Sequence, residues 1–266
     1  MVKEFISQLP PDKLSPFAKH PYQVREDAAM DELVESVRTY CILSPLLARP
    51  KGEGCELVSG HRRRLAAQKL GLPTVPVLVR EMSDDEAVIL MVDSNLQREN
   101  LLPSEKAFAY KMKLEAMKHQ GAKGTGDTAD LVGKEAGDSG RKVQRYIRLT
   151  ELLPELLDMV DNGKIKFIPA VSLSYLSKEE QAWVQACIKE KSVSVSGVMA
   201  DALKKHSEDG KLTELAVQLI LSEEKKDTGK VTLPGNKISR YFPKEYSRQQ
   251  IEQVIFELLD NWKNSH

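Results

Sequence analysis

The chain has 266 residues, of which 41% are hydrophobic and 29% are charged, as in an ordinary soluble globular protein. This length allows a sizeable core and predicts two small domains with an appendage. Lysine plus arginine and aspartate plus glutamate number 39 each, which argues against a protein that coats nucleic acid through bulk charge. We find neither a secretory signal nor an apolar run of membrane-spanning length. Apolar spacing around Cys41 and Cys187 predicts buried, reduced thiols, so we expect a cytoplasmic protein without a membrane partner.

Strand and helix signals alternate over the first hundred residues. The segments with the patterning of short strands are 45–49, 56–58 and 74–81. The segments with helical spacing are 28–40, 62–70 and a helix that starts at the capping box of Ser83 and runs to about 95. Gly71 and Pro73 follow the second helix in the order expected at a helix C-terminus. These signals predict a compact α/β domain over residues 1–100.

After Leu102 the strand signals stop. Pro103 suits the first turn of a helix that runs to about residue 119, and a glycine-rich loop is expected over 120–127. Short helices then follow one another from 128 to 221, with breaks at Gly137, Asn162-Gly163, Ser177 and Ser192.

A polar, lysine-rich linker is expected over 222–235, and a final helix from Ser247 carries apolar residues along one side. This stripe fits either packing onto the protein's own body or dimerisation. The predicted fold class is α+β. A small N-terminal α/β domain (1–100) precedes an all-α domain with a helix-turn-helix (101–221) and a C-terminal helical element (222–266).

Residues 131–148 have the pattern of a helix-turn-helix. Gly133 supplies the small residue that two helices crossing near a right angle require, and Gly137 suits the left-handed backbone of the turn. Four apolar residues are spaced to form the small core between the helices: Val132, Ala136, Val143 and Ile147. Asp138 departs from the pattern, because many such turns carry an apolar residue at that position.

The second helix of this motif presents polar and basic side chains outside its small core. Gln and Arg can read base edges in the major groove, whereas Lys mostly contacts phosphates, and a serine can cap the helix or donate to a phosphate. The predicted DNA-binding residues are Ser139, Arg141, Lys142, Gln144, Arg145 and Arg148. The alternative is an ordinary helical hairpin with a solvated basic face.

Residues 58–67 run from a strand directly into a helix, with Arg62, Arg63 and Arg64 at the helix N-terminus. The helix macrodipole favours negative charge at that end, so three arginines there are locally unfavourable. A bound polyphosphate would relieve the repulsion. The alternative is that these arginines reach carboxylates elsewhere in the fold.

At residues 93–107 the chain resembles the ParB family of chromosome and plasmid partition proteins. The family has a box of the form E-N-x-Q-R-x-x-L-x-P-x-E-x-A, which is matched by Asn95, Gln97, Arg98, Leu101, Pro103, Glu105 and Ala107. The upstream arginine box of the family, G-E-R-R-x-R-A, corresponds to residues 60–66, and residues 20–25 are similar to its N-P-x-Q-x-R stretch. The helix-turn-helix lies at the family's expected distance, and the resemblance covers about residues 14–180.

This resemblance implies a ParB-like N-terminal domain that binds CTP with Mg²⁺ in a DNA-binding clamp. The nucleotide-binding residues that it implies are Gln23, Arg25, Gly60, His61, Arg62, Arg63, Asn95, Gln97 and Arg98, with Asn95 as the metal ligand.

Two departures from the family pattern bear on the nucleotide site. His61 stands where the arginine box has an acidic residue, and Ser94 stands where the second box has a glutamate that would bind magnesium. Asp93 is adjacent, but in a helix it points about 100° away from position 94. Because a hydroxyl is a weaker ligand than a carboxylate for a hard cation, we expect nucleotide binding without hydrolysis. A weak CTPase activity stays open as an alternative.

We therefore expect a sequence-specific DNA-binding partition protein of a chromosome, plasmid or mobile element. It would bind double-stranded DNA as a homodimer in the nucleoid-associated cytoplasm, with a ParA-type ATPase as a further partner. The first alternative is a local transcriptional repressor that keeps the fold without nucleotide switching. The second is a ParB-like nuclease or nucleotide hydrolase, for which His61 would supply the new chemistry.

Overall fold

The structure, a computed structural model, describes residues 4–18, 20–98, 101–121, 126–222, 240–243 and 245–265. Its contacts divide the chain into two compact units, Met1–Ser222 and Glu223–His266. In the described ranges, no helix is both long enough and apolar enough to cross a membrane.

A five-stranded mixed sheet forms the N-terminal part of the first unit, with the strand order β1-β5-β3-β4-β2. The strands are β1 (Glu4–Leu9), β2 (Leu14–Ser15), β3 (Leu46–Lys51), β4 (Gly54–Ser59) and β5 (Val75–Arg80). β3 and β4 form an antiparallel hairpin, and β3 also pairs with β5 in parallel. The three predicted strands are confirmed, with ends shifted by up to two residues.

Two strands of this sheet were missing from the prediction. β1 pairs antiparallel with β5, whereas β2 adds two residues parallel to β4. The side chains of Phe5 and Ile6 are both exposed, so β1 lacks the alternation of apolar and polar residues that marks a half-buried strand. Long-range pairing with β5 determines its conformation, and a local pattern carries no trace of that pairing.

Three helices accompany this sheet: α1 (Ala28–Tyr40), α2 (His61–Lys69) and α3 (Asp84–Leu96). The side chain of Asp27 caps α1 by accepting a hydrogen bond from the Met30 amide at 2.9 Å. The capping box predicted at Ser83 is confirmed, because its hydroxyl and the Glu86 carboxylate each accept a hydrogen bond from the other residue's amide. Cys41 follows α1 and is exposed, so the prediction that its thiol is buried was wrong, whereas Cys187 is buried as predicted.

Eight α-helices follow in the described part of this unit, and no strand. They are α4 (Pro103–His119), α5 (Gly126–Gly133), α6 (Gly140–Arg148), α7 (Pro154–Asp161), α8 (Phe167–Leu173), α9 (Lys178–Lys191), α10 (Gly197–Glu208) and α11 (Glu214–Ser222). The predicted breaks are confirmed at Gly137, Gly163 and Ser192, which all have positive φ angles. Ser177 caps α9 through the predicted capping box. Residues 122–125 of the predicted loop lie outside the described residues.

One hydrophobic core extends across residue 100, where the sequence suggested a domain boundary. It contains Met91 and Val92 of α3 together with Tyr110 of α4 and Val143 of α6. A separate core joins α7 to α11 through residues such as Leu156, Leu173 and Leu203. The first hundred residues are therefore packed directly against the helix-turn-helix.

The second unit contains α12 (Arg248–Ser265). This helix confirms the prediction of a helix that begins after Ser247. Large apolar side chains along it are exposed: Phe256, Leu258, Leu259 and Trp262. The predicted linker lies mostly outside the described residues.

Candidate nucleotide cavity and DNA-binding helix

A cavity of about 370 Å³ lies between the segment that leads into α1, the first turn of α2 and the start of α4. Its lining residues are Gln23, Arg25, Asp27, Ala29, Arg62, Arg98, Leu101 and Glu105. Four of the nine residues implied by the family resemblance are therefore brought together here: Gln23, Arg25, Arg62 and Arg98. We refer to this space as the arginine cavity.

Gly60 sets the position of the first turn of α2 beside the arginine cavity. Its φ angle is 103°, and a Cβ atom at this position would lie 2.9 Å from Cγ of Leu46. Both the backbone conformation and the close approach to Leu46 require glycine. The helix therefore begins immediately after β4, and Arg62 lies in its first turn.

Arg62 is only partly paired. Its guanidinium donates from Nη2 to Oδ1 of Asp27 at 2.9 Å. Its Nε is buried and has no hydrogen-bond partner among the described residues. A buried donor without an acceptor is costly in a folded protein, so the position of this side chain carries an energetic cost.

Arg98 adds a second guanidinium to the arginine cavity. Burial lowers its pKa, and the nearby positive charge of Arg62 lowers it further. The carboxylate of Glu105 is occupied, because it accepts hydrogen bonds from the amides of Gln23 at 2.9 Å and Leu102 at 3.0 Å. Three arginines and two carboxylates line the arginine cavity, so its lining carries a net positive charge, which suits an anion.

Two other residues of the arginine box turn away from this cavity. Arg63 donates to the carbonyls of Ser44 at 2.5 Å and Pro45 at 3.0 Å, and burial lowers its pKa. Arg64 donates from Nε to the Pro11 carbonyl at 2.9 Å. Arg63 was expected to bind phosphate, but in this structure its hydrogen bonds stabilise the loop before β3.

The remaining predicted nucleotide residues are dispersed. Gln97 is exposed at the end of α3, whereas Asn95 is buried and donates from Nδ2 to the Met91 carbonyl at 2.7 Å. The hydroxyl of Ser94 donates to the same carbonyl at 3.0 Å. Asp93 forms an ion pair with the buried ammonium of Lys113.

This donor set does not suit Mg²⁺. A hard cation favours carboxylate oxygens, but the Asp93 carboxylate is paired with Lys113, and Asn95, whose Nδ2 donates to the Met91 carbonyl, could offer only a neutral amide oxygen. In the described residues, no group of three or more His, Cys, Asp or Glu side chains could hold a metal ion. The carboxylate next to the second family box, that of Asp93, is therefore already paired with Lys113 and poorly placed to bind the cation that the family resemblance implies.

The His61 ring contacts a residue that the sequence did not connect with it. The ring lies 4.0 Å from that of His20, centroid to centroid, with the planes inclined at 46°. Burial lowers the pKa of His61 to about 3, and charge repulsion from His20, Arg64 and Arg98 contributes to this shift. The Nε2 atoms of both rings are buried and lack partners in the part of the chain that the structure describes. No local signal could have identified this pair, because the fold alone brings the two positions together.

The helix-turn-helix is formed by α5, a 3-10 turn and α6. A Cβ atom on Gly133 would lie 2.2 Å from the Asp138 carbonyl oxygen, so only glycine allows this close crossing. Gly137 has a φ angle of 66° in the turn, as expected. Val132 and Val143 are fully buried between the helices.

Four of the predicted DNA-binding side chains lie together on the exposed face of α6: Arg141, Lys142, Gln144 and Arg145. Ser139 caps the helix by accepting a hydrogen bond from the Lys142 amide at 3.4 Å. The ammonium of Lys142 lies 2.7 Å from the Asp138 carboxylate, and this hydrogen bond raises the pKa of the lysine.

Arg148 does not share this face. Its Nε donates to the hydroxyl of Ser174 at 3.3 Å, and its guanidinium lies over the Tyr175 ring at 4.2 Å. These contacts direct the side chain towards the body of the helical region. The exposed basic face of α6 therefore ends before Arg148.

Comparison with known proteins identifies the family to which this chain belongs. The ParB N-terminal domain family matches residues 1–96. The chain is 36% identical over 199 residues to the chromosome-partitioning protein Spo0J of Thermus thermophilus, covering 75% of this chain and 70% of that protein. It spans 64% of the length of each of two further curated partition proteins.

Two solved structures of a C-terminally truncated ParB from Caulobacter crescentus are also similar. One, complexed to the centromeric parS site, is 23% identical with a TM-score of 0.47 and covers 81% of this chain and 98% of that one. The other, complexed with CTP-gamma-S, is 25% identical with a TM-score of 0.33 and covers 70% of this chain and 99% of that one. The identity to the Thermus protein, over most of both chains, shows that this chain belongs to the ParB family of chromosome-partitioning proteins.

Proposed function

We propose that this chain is a sequence-specific DNA-binding partition protein that reads its site through α6. The observation that carries the proposal is the exposed face of that helix, where Arg141, Gln144 and Arg145 lie beyond a capped N-terminus. Arginine and glutamine can each form two hydrogen bonds with a base edge in the major groove. A capped, well-packed helix holds such side chains in the fixed geometry that base reading requires.

The oligomeric state, cellular location and partners that we propose follow from family membership. The protein would act as a homodimer on the DNA of a chromosome, plasmid or mobile element, in the nucleoid-associated cytoplasm. A ParA-type ATPase would be its partner. The exposed apolar side chains Phe256, Leu258 and Leu259 of α12 support the proposed dimer, because an exposed apolar helix face is typical of an association surface.

We propose that the arginine cavity binds a nucleoside triphosphate, and the family resemblance favours CTP. The supporting observation is that Arg25, Arg62 and Arg98 line one cavity, whereas the carboxylates in its lining are those of Asp27 and Glu105. Nucleotide binding in this cavity would gate the DNA clamp.

DNA recognition is tested by sequencing the genomic fragments that the purified protein retains, and then measuring affinity for the enriched site by fluorescence anisotropy. Arg145→Ala is expected to cost about 1–3 kcal/mol at one base position and to relax specificity there. Arg38→Ala, which removes an exposed arginine of α1, is the charge-matched control. An unchanged base preference in the Arg145 variant would show that Arg145 does not contact a base.

Nucleotide binding is tested by calorimetry with CTP, ATP and GTP, with and without DNA that carries the enriched site. Arg62→Ala should abolish nucleotide binding while short-site affinity is retained. If no nucleotide binds in any condition and the DNA footprint is confined to one operator, the protein is a local repressor of ParB-like fold.

A further inference from the structure

A groove of about 550 Å³ shares no lining residue with the arginine cavity or with the exposed basic face of α6. It lies between the turn that follows α7, at Gly163 and Lys164, and the C-terminal end of α9 with the segment after it. We refer to this space as the α9 groove. It has no role in the function proposed above.

The α9 groove combines an apolar interior with exposed positive charge. Ile188 is buried in the core of the helical region, and Met159 and Val193 are half-buried against that core. Lys164 and Lys189 also line the groove, and both are exposed. Neither ammonium has an ion pair or a hydrogen bond among the described residues, and no carboxylate of those residues lines the groove. The α9 groove therefore suits a ligand that is both acidic and apolar.

One wall of the α9 groove is an extended segment with open main-chain groups. Residues 192–196 read Ser-Val-Ser-Val-Ser and belong to no helix or strand. Ser192 and Ser194 are exposed, whereas Val193 is half-buried and Val195 is buried, which is the alternation of an extended chain. In the part of the chain that the structure describes, the amides and carbonyls of Val193 and Ser194 have no hydrogen-bond partner. Such a segment can pair with a second extended chain.

These features together favour a peptide over nucleic acid. The phosphates of DNA would pair with the two lysines but would leave the apolar surface of Met159 and Ile188 uncovered. An extended peptide can satisfy the main chain of Val193 and cover that surface with a side chain. Carboxylates on the same peptide would meet the exposed ammonium groups, and this charge complementarity would speed association and fix the register.

We propose that the α9 groove is the docking site for a partner protein, which binds there through an extended acidic segment. The main chain of that segment pairs with that of Val193 and Ser194, and one of its apolar side chains packs on Ile188. Neighbouring carboxylates pair with Lys164 and Lys189. This interaction surface is independent of nucleotide binding and of DNA reading.

The probe is a phage-displayed library of random linear peptides, selected on the immobilised full chain. The enriched peptides are expected to share an apolar residue flanked by aspartate or glutamate. Synthetic copies of them are then titrated by fluorescence anisotropy. In the complex, amide hydrogen exchange should become slower in the fragment that contains residues 192–195, because its open amides gain partners.

Two matched pairs of variants test the charged and the apolar contacts. Lys189→Glu should weaken peptide binding about tenfold or more, because it places like charges opposite each other. Lys118→Glu, which changes an exposed lysine in the last turn of α4, should alter it by less than about twofold. Val193→Thr should weaken binding roughly threefold or more, whereas Val198→Thr, at a valine 82% exposed on α10, should leave it unchanged. Melting curves check that all four variants fold.

A short DNA duplex with no enriched site is the second probe, and it distinguishes the rival ligand. The absence of an acidic and apolar consensus among the selected peptides would overturn this inference. Equal peptide affinity of Lys189→Glu and Lys118→Glu would also overturn it. If Lys189→Glu weakens binding to the duplex while the peptides bind unchanged, the groove contacts the DNA backbone and the partner segment is excluded.

Discussion

The hydroxyl of Tyr110 donates a hydrogen bond to the carboxylate of Asp138 at 2.6 Å, which fastens the turn of the helix-turn-helix to α4. The side chain of Asp138 is only 4% exposed, and the ammonium of Lys106 lies 2.6 Å from the same oxygen. Lys142 binds the other carboxylate oxygen. A buried carboxylate with three donors explains how this turn accommodates a charged residue in place of the usual apolar one.

Tyr110→Phe removes one donor from this buried carboxylate and changes little else in shape. Because the hydrogen bond involves a charged acceptor, we expect a loss of about 1.5–3 kcal/mol in the free energy of unfolding, measured in urea. Tyr40→Phe, at an exposed site on α1, should change that energy by less than about 0.5 kcal/mol. Equal stability of the two variants would contradict the role assigned to the contact.

The same network predicts a dependence of stability on acid. Burial opposes ionisation of Asp138, but hydrogen bonds from Lys106, Lys142 and Tyr110 outweigh it and lower the pKa of the carboxyl to about 2. Since the pKa is lower in the folded state, the stabilisation is present above the unfolded pKa and is lost as the pH falls from about 4 to about 2. It amounts to roughly 2 kcal/mol. In Asp138→Asn, urea unfolding curves recorded across that range should lose this part of the pH dependence, and an unchanged profile would argue against it.

Gly133→Ala tests the close crossing of the two helices. The added methyl group would meet the Asp138 carbonyl and the Val143 side chain, so we expect a loss of about 1–3 kcal/mol in stability and weaker DNA binding. Gly197→Ala is the matched control in α10, because nothing lies within 4 Å of its added Cβ atom. Thermal melting and anisotropy measure the two effects, and similar behaviour of both variants would show that the crossing tolerates a side chain.

Alanine substitutions at two neighbouring arginines of the arginine box should affect different properties, stability for Arg63 and nucleotide affinity for Arg62. Arg63→Ala leaves the Ser44 and Pro45 carbonyls without their donor, so we expect a loss of about 1–3 kcal/mol in stability. Arg62→Ala should leave melting nearly unchanged but remove nucleotide affinity. Calorimetry and melting on both variants check the assignment, which is wrong if Arg63→Ala alone abolishes binding.

Arg148→Ala should behave as a structural variant, in contrast to Arg145→Ala. Its guanidinium contacts Ser174 and Tyr175, so its loss is expected to lower the melting temperature while base preference is retained. Sequencing of retained DNA provides the readout. A relaxed base preference in Arg148→Ala would place this residue on the reading face after all.

Most helices could be predicted from local patterns. α1 has the predicted limits, because the cap at Asp27 and the apolar spacing of the helix lie within a few residues of one another. Gly133 and Gly137 likewise indicated a tight crossing and a turn, since backbone sterics restrict both positions to glycine.

What could not be predicted depends on contacts between distant parts of the chain. β1 forms through its pairing with β5. Arg63 was predicted to bind nucleotide and Arg148 to bind DNA, but Arg63 donates to the Pro45 carbonyl and Arg148 lies over the Tyr175 ring. The contact between the His20 and His61 rings likewise depends on the tertiary structure. A side chain's residue type indicates what it can bind, but its orientation is decided by the tertiary structure.

The core that extends across residue 100 restricts how such a protein can change by recombination. A recombination crossover at that point would separate Met91 and Val92 from Tyr110 and Val143, which they contact in one hydrophobic core. Each recombinant would then expose apolar side chains that this core buries. The cavity and the reading helix are therefore expected to be inherited together, and a hybrid that exchanges only the first hundred residues would need compensating substitutions in α4 to fold.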